Sequence, residues 1–171
     1  MKKHILLLLI AGTITQLSHG MTQDPNKKAF DIVYLGDRQA LKDLFTRMPE
    51  FDVNARDARG TTALMSIVGN AGRFDALEKM RMLIKRGADV NARDKASRTP
   101  LHLAISDANE PEVKLLLDYC ANPLIEDTIW NILTPLATAK VSALMAVDPT
   151  RKAAAQRILE LVQNAAVKFA E

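Results

Sequence analysis

Apolar positions along this chain fall three and four residues apart, the spacing of one helical face, and the runs that carry them come in pairs. Residues 27–35 place Ala29, Ile32 and Val33 on one face, and residues 38–48 do the same with Leu41, Leu44 and Phe45. The second pair opens at Thr62 with Leu64, Ile67 and Val68. After a Gly-Asn-Ala-Gly break at 69–72 it resumes over 74–85 with Leu77, Met80, Leu83 and Ile84. A third pair covers 100–106 and 111–119, with Val113, Leu116 and Leu117 inward. The fourth begins at Pro135. Asp148-Pro149 then reads as an Asp N-cap with proline in the first helical position, where a missing N–H costs nothing. The last helix sets Ile158, Leu161, Val162, Ala165 and Phe169 on one side and Arg151, Lys152, Arg157, Glu160 and Lys168 on the other. No stretch alternates with a period of two, so no sheet core is expected.

The pairs are also copies. Val53-Asn54-Ala55-Arg56-Asp57 returns 37 residues later as Val90-Asn91-Ala92-Arg93-Asp94, and Thr62-Ala63-Leu64 aligns with Thr99-Pro100-Leu101. Gly87-Ala88-Asp89-Val90 returns 33 residues on as Cys120-Ala121-Asn122-Pro123, and Thr134-Pro135-Leu136 repeats the helix opening. Periods of this size mark stacked repeats, in which each helix pair exposes an apolar face that only its neighbour can cover. Four pairs exceed the roughly three such a stack needs. A one-sided last helix suits a terminal cap.

Composition adds bounds. The chain has 171 residues, 48% of them hydrophobic and 25% charged, so it can bury a core within a single domain. Residues 1–20 read as an export signal: Lys2 and Lys3, then an apolar run from Ile5 to Ile14, then Ser18-His19-Gly20 with small residues where a peptidase reads. A run that short cannot span about 30 Å of hydrocarbon as a helix. Residues 21–25 form a short linker, and 26–171 the repeat domain. Without residues 1–20 the chain holds 21 basic and 20 acidic side chains, a net of +1, which gives no case for a generally nucleic-acid-binding or membrane-surface protein. The localisation expected is periplasmic, with an extracellular fate as the alternative. Cys120 is the only cysteine, so no intrachain disulfide forms. Burial at a repeat junction is favoured for it, with a monomer expected and a Cys120-linked dimer as the alternative.

Asp94 to Ala104, D-K-A-S-R-T-P-L-H-L-A, resembles the helix opening of ankyrin repeats, as do Lys114-Leu115-Leu116-Leu117 and the loop Gly87-Ala88-Asp89-Val90-Asn91-Ala92. The resemblance covers roughly residues 26–168 as four repeats: 26–56, 57–93, 94–126 and 127–168. It implies an all-α solenoid of stacked helix pairs joined by short β-turn hairpins, with no cofactor. Ser97 and Cys120 stand where the family prefers glycine, and a left-handed backbone there would carry strain. Met65 and Ala137 replace the motif's histidine, leaving His102 alone in that place. About four extra residues enter repeat two near 73–76, and two enter repeat four around 128–131.

Candidate chemistry is sparse. His102 is the one histidine after residue 20, and it sits in the structural T-P-L-H position, where its ring is expected to satisfy backbone partners. There is no Cys/His cluster with metal spacing, no phosphate-binding glycine loop and no G-x-S-x-G. A non-catalytic protein-binding module follows. Two uses are open: assisting, inhibiting or assembling an envelope enzyme, or acting on a host protein as a secreted factor. A hydrolytic enzyme is a distant third. By the resemblance, partners meet hairpin tips and the inner face of the first helices. Those are Arg56, Ala58, Arg59, Thr61, Gly69 and Asn70 in repeat two, and Arg93, Lys95, Ala96, Arg98, Ser106 and Asp107 in repeat three. In repeat four they are Glu126, Thr128, Ile129 and Trp130. Five of these are cationic, Arg56, Arg59, Arg93, Lys95 and Arg98, which predicts a positive ridge facing an acidic partner surface. Trp130 is the aromatic candidate for a hot spot, against packing within the terminal repeat.

Overall fold

The computed structural model describes residues 32–33, 36–68, 75–126 and 134–170. The expected leader, the linker and most of the helix over 27–35 lie outside the described residues. Within them seven helices follow one another: α1 Arg38–Arg47, α2 Ala63–Ile67, α3 Ala76–Lys85, α4 Pro100–Ser106, α5 Glu110–Asp118, α6 Pro135–Met145 and α7 Pro149–Ala170. The only extended pairing among the described residues is an isolated bridge between Arg56 and Thr62. The expectation of an all-α stack without a sheet is met.

The helices start where the sequence supplies an oxygen. Thr62, Thr99 and Thr134 stand in extended backbone ahead of α2, α4 and α6. Their hydroxyls accept from the N–H three residues on, at 3.4, 3.5 and 3.1 Å. Asp37 caps α1 and Asp148 caps α7 in the same way, at 2.8 and 2.7 Å, and Asn109 caps α5 at 3.3 Å. Each such cap satisfies one of the orphan donors of a first turn and stabilises by about 1 kcal/mol. α3 lacks a side-chain cap.

Three of the helix ends share one geometry. Gly87 takes φ +91°, its N–H reaching the Ile84 carbonyl and that of Ala88 reaching Leu83. Cys120 takes φ +61° with the corresponding pair to Leu117 and Leu116, and Ala108 takes φ +55° after α4 with bonds to Ile105 and Ala104. This is the left-handed C-cap, natural for glycine and strained for the other two. Contrary to the burial favoured from sequence, Cys120 is exposed. A C′ residue stands outside the last turn, so the apolar stripe that ends at Leu116 does not extend to it.

The helices pack in two rows. α2, α4 and α6 touch in succession, and α1, α3, α5 and α7 form the second row, cross-linked by the pairs α2–α3, α4–α5 and α6–α7. Between the rows lie Leu41, Leu64, Met80, Leu83, Leu101, Ile105, Leu116, Ile158 and Val162, all essentially inaccessible. Second-row helices pack on neighbours within their own row as well as on the first row, which rotates the buried arc from the one read in the sequence. In α3 the buried set is Ala76, Lys79, Met80 and Leu83, with Leu77 and Ile84 only half-buried. In α7 it is Ala155, Ile158, Val162 and Ala166, while Phe169 is largely exposed. Lys79 and Glu112 occupy the same position 33 residues apart in α3 and α5, and each is 1% exposed. The Lys79 ammonium donates to the Gly36 carbonyl at 2.9 Å, anchoring the loop ahead of α1 in the first repeat to the second.

Candidate partner-binding surface

The duplicated Val-Asn-Ala-Arg-Asp segments build two ladders along the hairpin edge. The first is made of asparagines. Asn54 donates to the Gly87 carbonyl at 3.0 Å and accepts from the Asp89 N–H at 2.8 Å. One repeat on, Asn91 donates to the Cys120 carbonyl at 3.5 Å and accepts from the Asn122 N–H at 2.7 Å. The second ladder is made of arginines. Arg56 donates to the Gly60 carbonyl at 3.2 Å and to the Arg93 carbonyl, and Arg93 donates to the Glu126 carbonyl at 2.7 Å. Each rung satisfies a loop carbonyl of the next repeat, so the tips hold a fixed spacing.

The tips themselves are two similar turns. At the first, the Asp57 carboxylate accepts from the N–H groups of Arg59 and Thr61, both at 2.8 Å, and from the Arg59 guanidinium at 3.3 Å. Partial burial alone would raise the Asp57 pKa. The hydrogen bonds from Thr61 and Arg59 outweigh it and hold the carboxyl below its ordinary value. At the second, Asp94 accepts from the N–H groups of Ala96 and Arg98 at 2.9 Å, and from the Arg98 side chain at 2.9 and 2.8 Å. Gly60 in the first turn (φ +77°) is matched by Ser97 (φ +59°) in the second. At Gly60 a side chain would also be crowded, since a Cβ would lie 3.0 Å from the Lys95 nitrogen. That approach lets the Lys95 N–H donate to the Arg59 carbonyl at 3.0 Å, joining one tip to the next.

The five cations expected on a ridge therefore divide. Arg56 and Arg93 are rungs of the ladder, and Arg98 is clamped on Asp94. Arg59 projects with its side chain 83% exposed while leaning on Asp57. Lys95 is exposed on the adjacent tip, with no side-chain partner among the described residues. Ala58 is exposed beside Arg59, Thr61 and Ala96 are half-buried, and Glu126 is exposed at the far end. On the inner side of α4, the Ser106 hydroxyl donates to the His102 carbonyl at 2.9 Å and the Asp107 side chain is exposed at the helix end. Gly69, Asn70, Thr128, Ile129 and Trp130 lie outside the described residues, as do most of the segments read as insertions.

His102 is a structural element. Its Nδ1 accepts from the Thr99 N–H at 3.1 Å and lies 2.9 Å from the Thr99 hydroxyl, closing a capping box with the ring 2% exposed side by side with Thr99. Among the described residues no group of three His, Cys, Asp or Glu side chains is arranged to hold a metal ion, and no helix is long and apolar enough to cross a membrane. The sequence did not reveal where the arginines point, because their acceptors lie 33 and 37 residues away. It also missed the apolar outer side of α6, although that helix carries a single charge, Lys140, in eleven residues.

Two rows of capped helix pairs, with hairpin tips bonded in series, define a repeat solenoid. The chain belongs to the ankyrin repeat family: the family model for three copies of the ankyrin repeat matches residues 30–139. Similar proteins include the NF-kappa-B inhibitor cactus of Drosophila yakuba, 38% identical over 91 residues, which are 53% of this chain and 18% of that protein. Human inversin is 34% identical over 136 residues, 80% of this chain and 11% of inversin. The ADP-ribosylation factor GTPase-activating protein AGD4 of Arabidopsis thaliana is 48% identical over 48 residues, 28% of this chain and 6% of that protein. The chain thus spans less than a fifth of the length of these relatives.

Proposed function

We propose that this ankyrin repeat chain is a non-catalytic, exported module that binds a protein partner through its hairpin tips and inner helix face. In that role it stabilises, inhibits or helps assemble an envelope enzyme. One observation carries the reading: at both tips the carboxylate is folded inward onto backbone N–H groups, while a cation points outward. Arg59 and Lys95 stand on neighbouring tips that a main-chain bond holds in register. Such an edge presents positive charge without the entropy cost of ordering the loops on binding, and it suits an acidic partner surface. That cactus is named as an inhibitor of another protein supports the inhibiting form of this reading.

The test is affinity capture from the exported fraction, followed by mass spectrometry, with wild type and the double variant Arg59→Glu, Lys95→Glu as baits. Wild type should recover a partner that the variant loses, and recovery should fall as salt shortens the reach of the charges. Equal recovery by both baits would remove the tips from the binding site. Fractionation in the same cells supplies the localisation: export to the periplasm fits the envelope role, and release into the medium fits action on a host protein.

A further inference from the structure

We propose that the end face of the stack, between α6 and α7, is a second docking surface whose occupant is an amphipathic helix with an apolar stripe edged by carboxylates. The face stands apart from the tips and does not depend on their role. A cleft of about 500 Å³ runs between the two helices, lined by Lys140, Ala143, Leu144, Lys152, Gln156 and Leu159. Leu144, which lines it, is 80% exposed, and at the end of the same helix and in the loop that follows Met145 is 75% and Val147 95% exposed, an unusual concentration of apolar surface. Clustered apolar exposure with a polar rim marks a surface built to be covered.

Charge decides what covers it. Lys140 stands on the α6 wall and Lys152 on the α7 wall, and neither makes an ion pair among the described residues. No carboxylate lines the cleft. The nearest in sequence are Asp148, occupied as the α7 cap, and Glu160, one turn beyond Gln156. A second copy of this chain seated symmetrically would bring the same two lysines against each other in a partly desolvated gap, which repels. A partner helix with Glu or Asp on both edges of its stripe instead meets a cation on each wall. The shape is the one this fold already uses: on its other side the same hairpin receives α4 and α5. Laying an apolar helix face into a groove needs no strand edge and no new backbone geometry.

Two fluorescent helical peptides of about 18 residues, enough to sustain a helix on binding, test this against the full chain by anisotropy. They share one leucine stripe and differ in edging it with Glu or with Lys. The Glu-edged peptide should saturate and bind at least about tenfold more tightly, the loss expected when one anchor contact fails. Leu144→Asp, or Val147→Asp should the first variant fail to fold by circular dichroism, should weaken it by a similar factor. Lys140→Glu with Lys152→Glu should invert the preference. Equal binding of the two peptides, binding by neither, or indifference to a folded Leu144→Asp variant overturns the proposal. So does a dimer in sedimentation velocity that Leu144→Asp abolishes, which would assign the face to a second copy.

Discussion

The hairpin edge over repeats two and three and the α6–α7 end of the stack solve the problem of exposed surface in opposite ways. Along the edge, tip carboxylates fold back on their own turns, while asparagine amides and two of the guanidinium groups bond the neighbouring loop. Arg59, with its side chain 83% exposed, and Lys95 project from this frame beside the ladder arginines. At the end of the stack the polar bonds are few: an Arg157–Glu110 pair at 2.7 Å ties α7 to α5, while Leu144, Met145 and Val147 face outward. The matched ankyrin segment stops at residue 139, so most of this hairpin lies beyond it. A repeat with neighbours on two sides can bury its apolar faces, whereas one with a neighbour on a single side leaves a face open. In such arrays stability is a sum over nearest-neighbour interfaces, which makes the two regions separable by mutation.

The largest separation should come from leucines in the two settings. Leu116 is fully buried between the rows, and Leu116→Ala should cost about 2–5 kcal/mol by urea denaturation. Leu144→Ala, made 28 residues away on the open face, should change stability by no more than about 0.5 kcal/mol. Comparable losses from both would mean that the end face is packed in solution, and the contrast between the regions would collapse.

Much of this contrast could be read from residue order, and the unread part has a common cause. Local signals fixed what local chemistry decides: Thr99 and Pro100 opened α4, which ends at Ser106 as the pattern indicated, and Asp148 and Gly87 acted as caps where expected. Arg56, Arg93 and Arg98 looked alike as basic residues on turns. Arg98 is held locally by Asp94 four residues before it, whereas Arg56 and Arg93 became rungs because the stacking itself places the Arg93 and Glu126 carbonyls, 37 and 33 residues away. Lys79 and Glu112 were passed over for the same reason, since a charged residue flanking an apolar stripe is usually solvated and here a neighbouring helix covers it. The open face of α6 was legible in principle from its lack of charge. Periodicity shows how much of a helix is apolar, but not whether anything lies against it.

A smaller effect probes the edge through pH. Because the Asp57 pKa is depressed in the folded state, its contribution is fully present above the unfolded value, about 3.9, and disappears as pH falls through the lower folded value. Asp57→Asn keeps an acceptor but loses the charge on bonds to Arg59 and Thr61, and should cost about 1 kcal/mol at pH 7. Urea midpoints for the two proteins should converge on going to pH 3, since the wild-type carboxyl is then progressively protonated. A gap that stayed constant with pH would show that the charge contributes nothing to the turn.

The smallest effect compares the two helix ends that carry the same backbone. Gly87 and Cys120 both turn left-handed after a second-row helix, with matching carbonyl partners. An L side chain there costs about 1–2 kcal/mol, partly offset because glycine loses more chain entropy on folding. Cys120→Gly should therefore stabilise by about 0.5–1 kcal/mol in reducing buffer, and Gly87→Ala should destabilise by a similar amount. Space does not confuse the second case, since a Cβ at Gly87 would meet nothing within 4 Å. The two variants should thus shift the melting temperature in opposite directions. Were Cys120→Gly neutral or harmful, the exposed thiol side chain would be making a contact on this surface that offsets its backbone strain, and the two ends would no longer be equivalent.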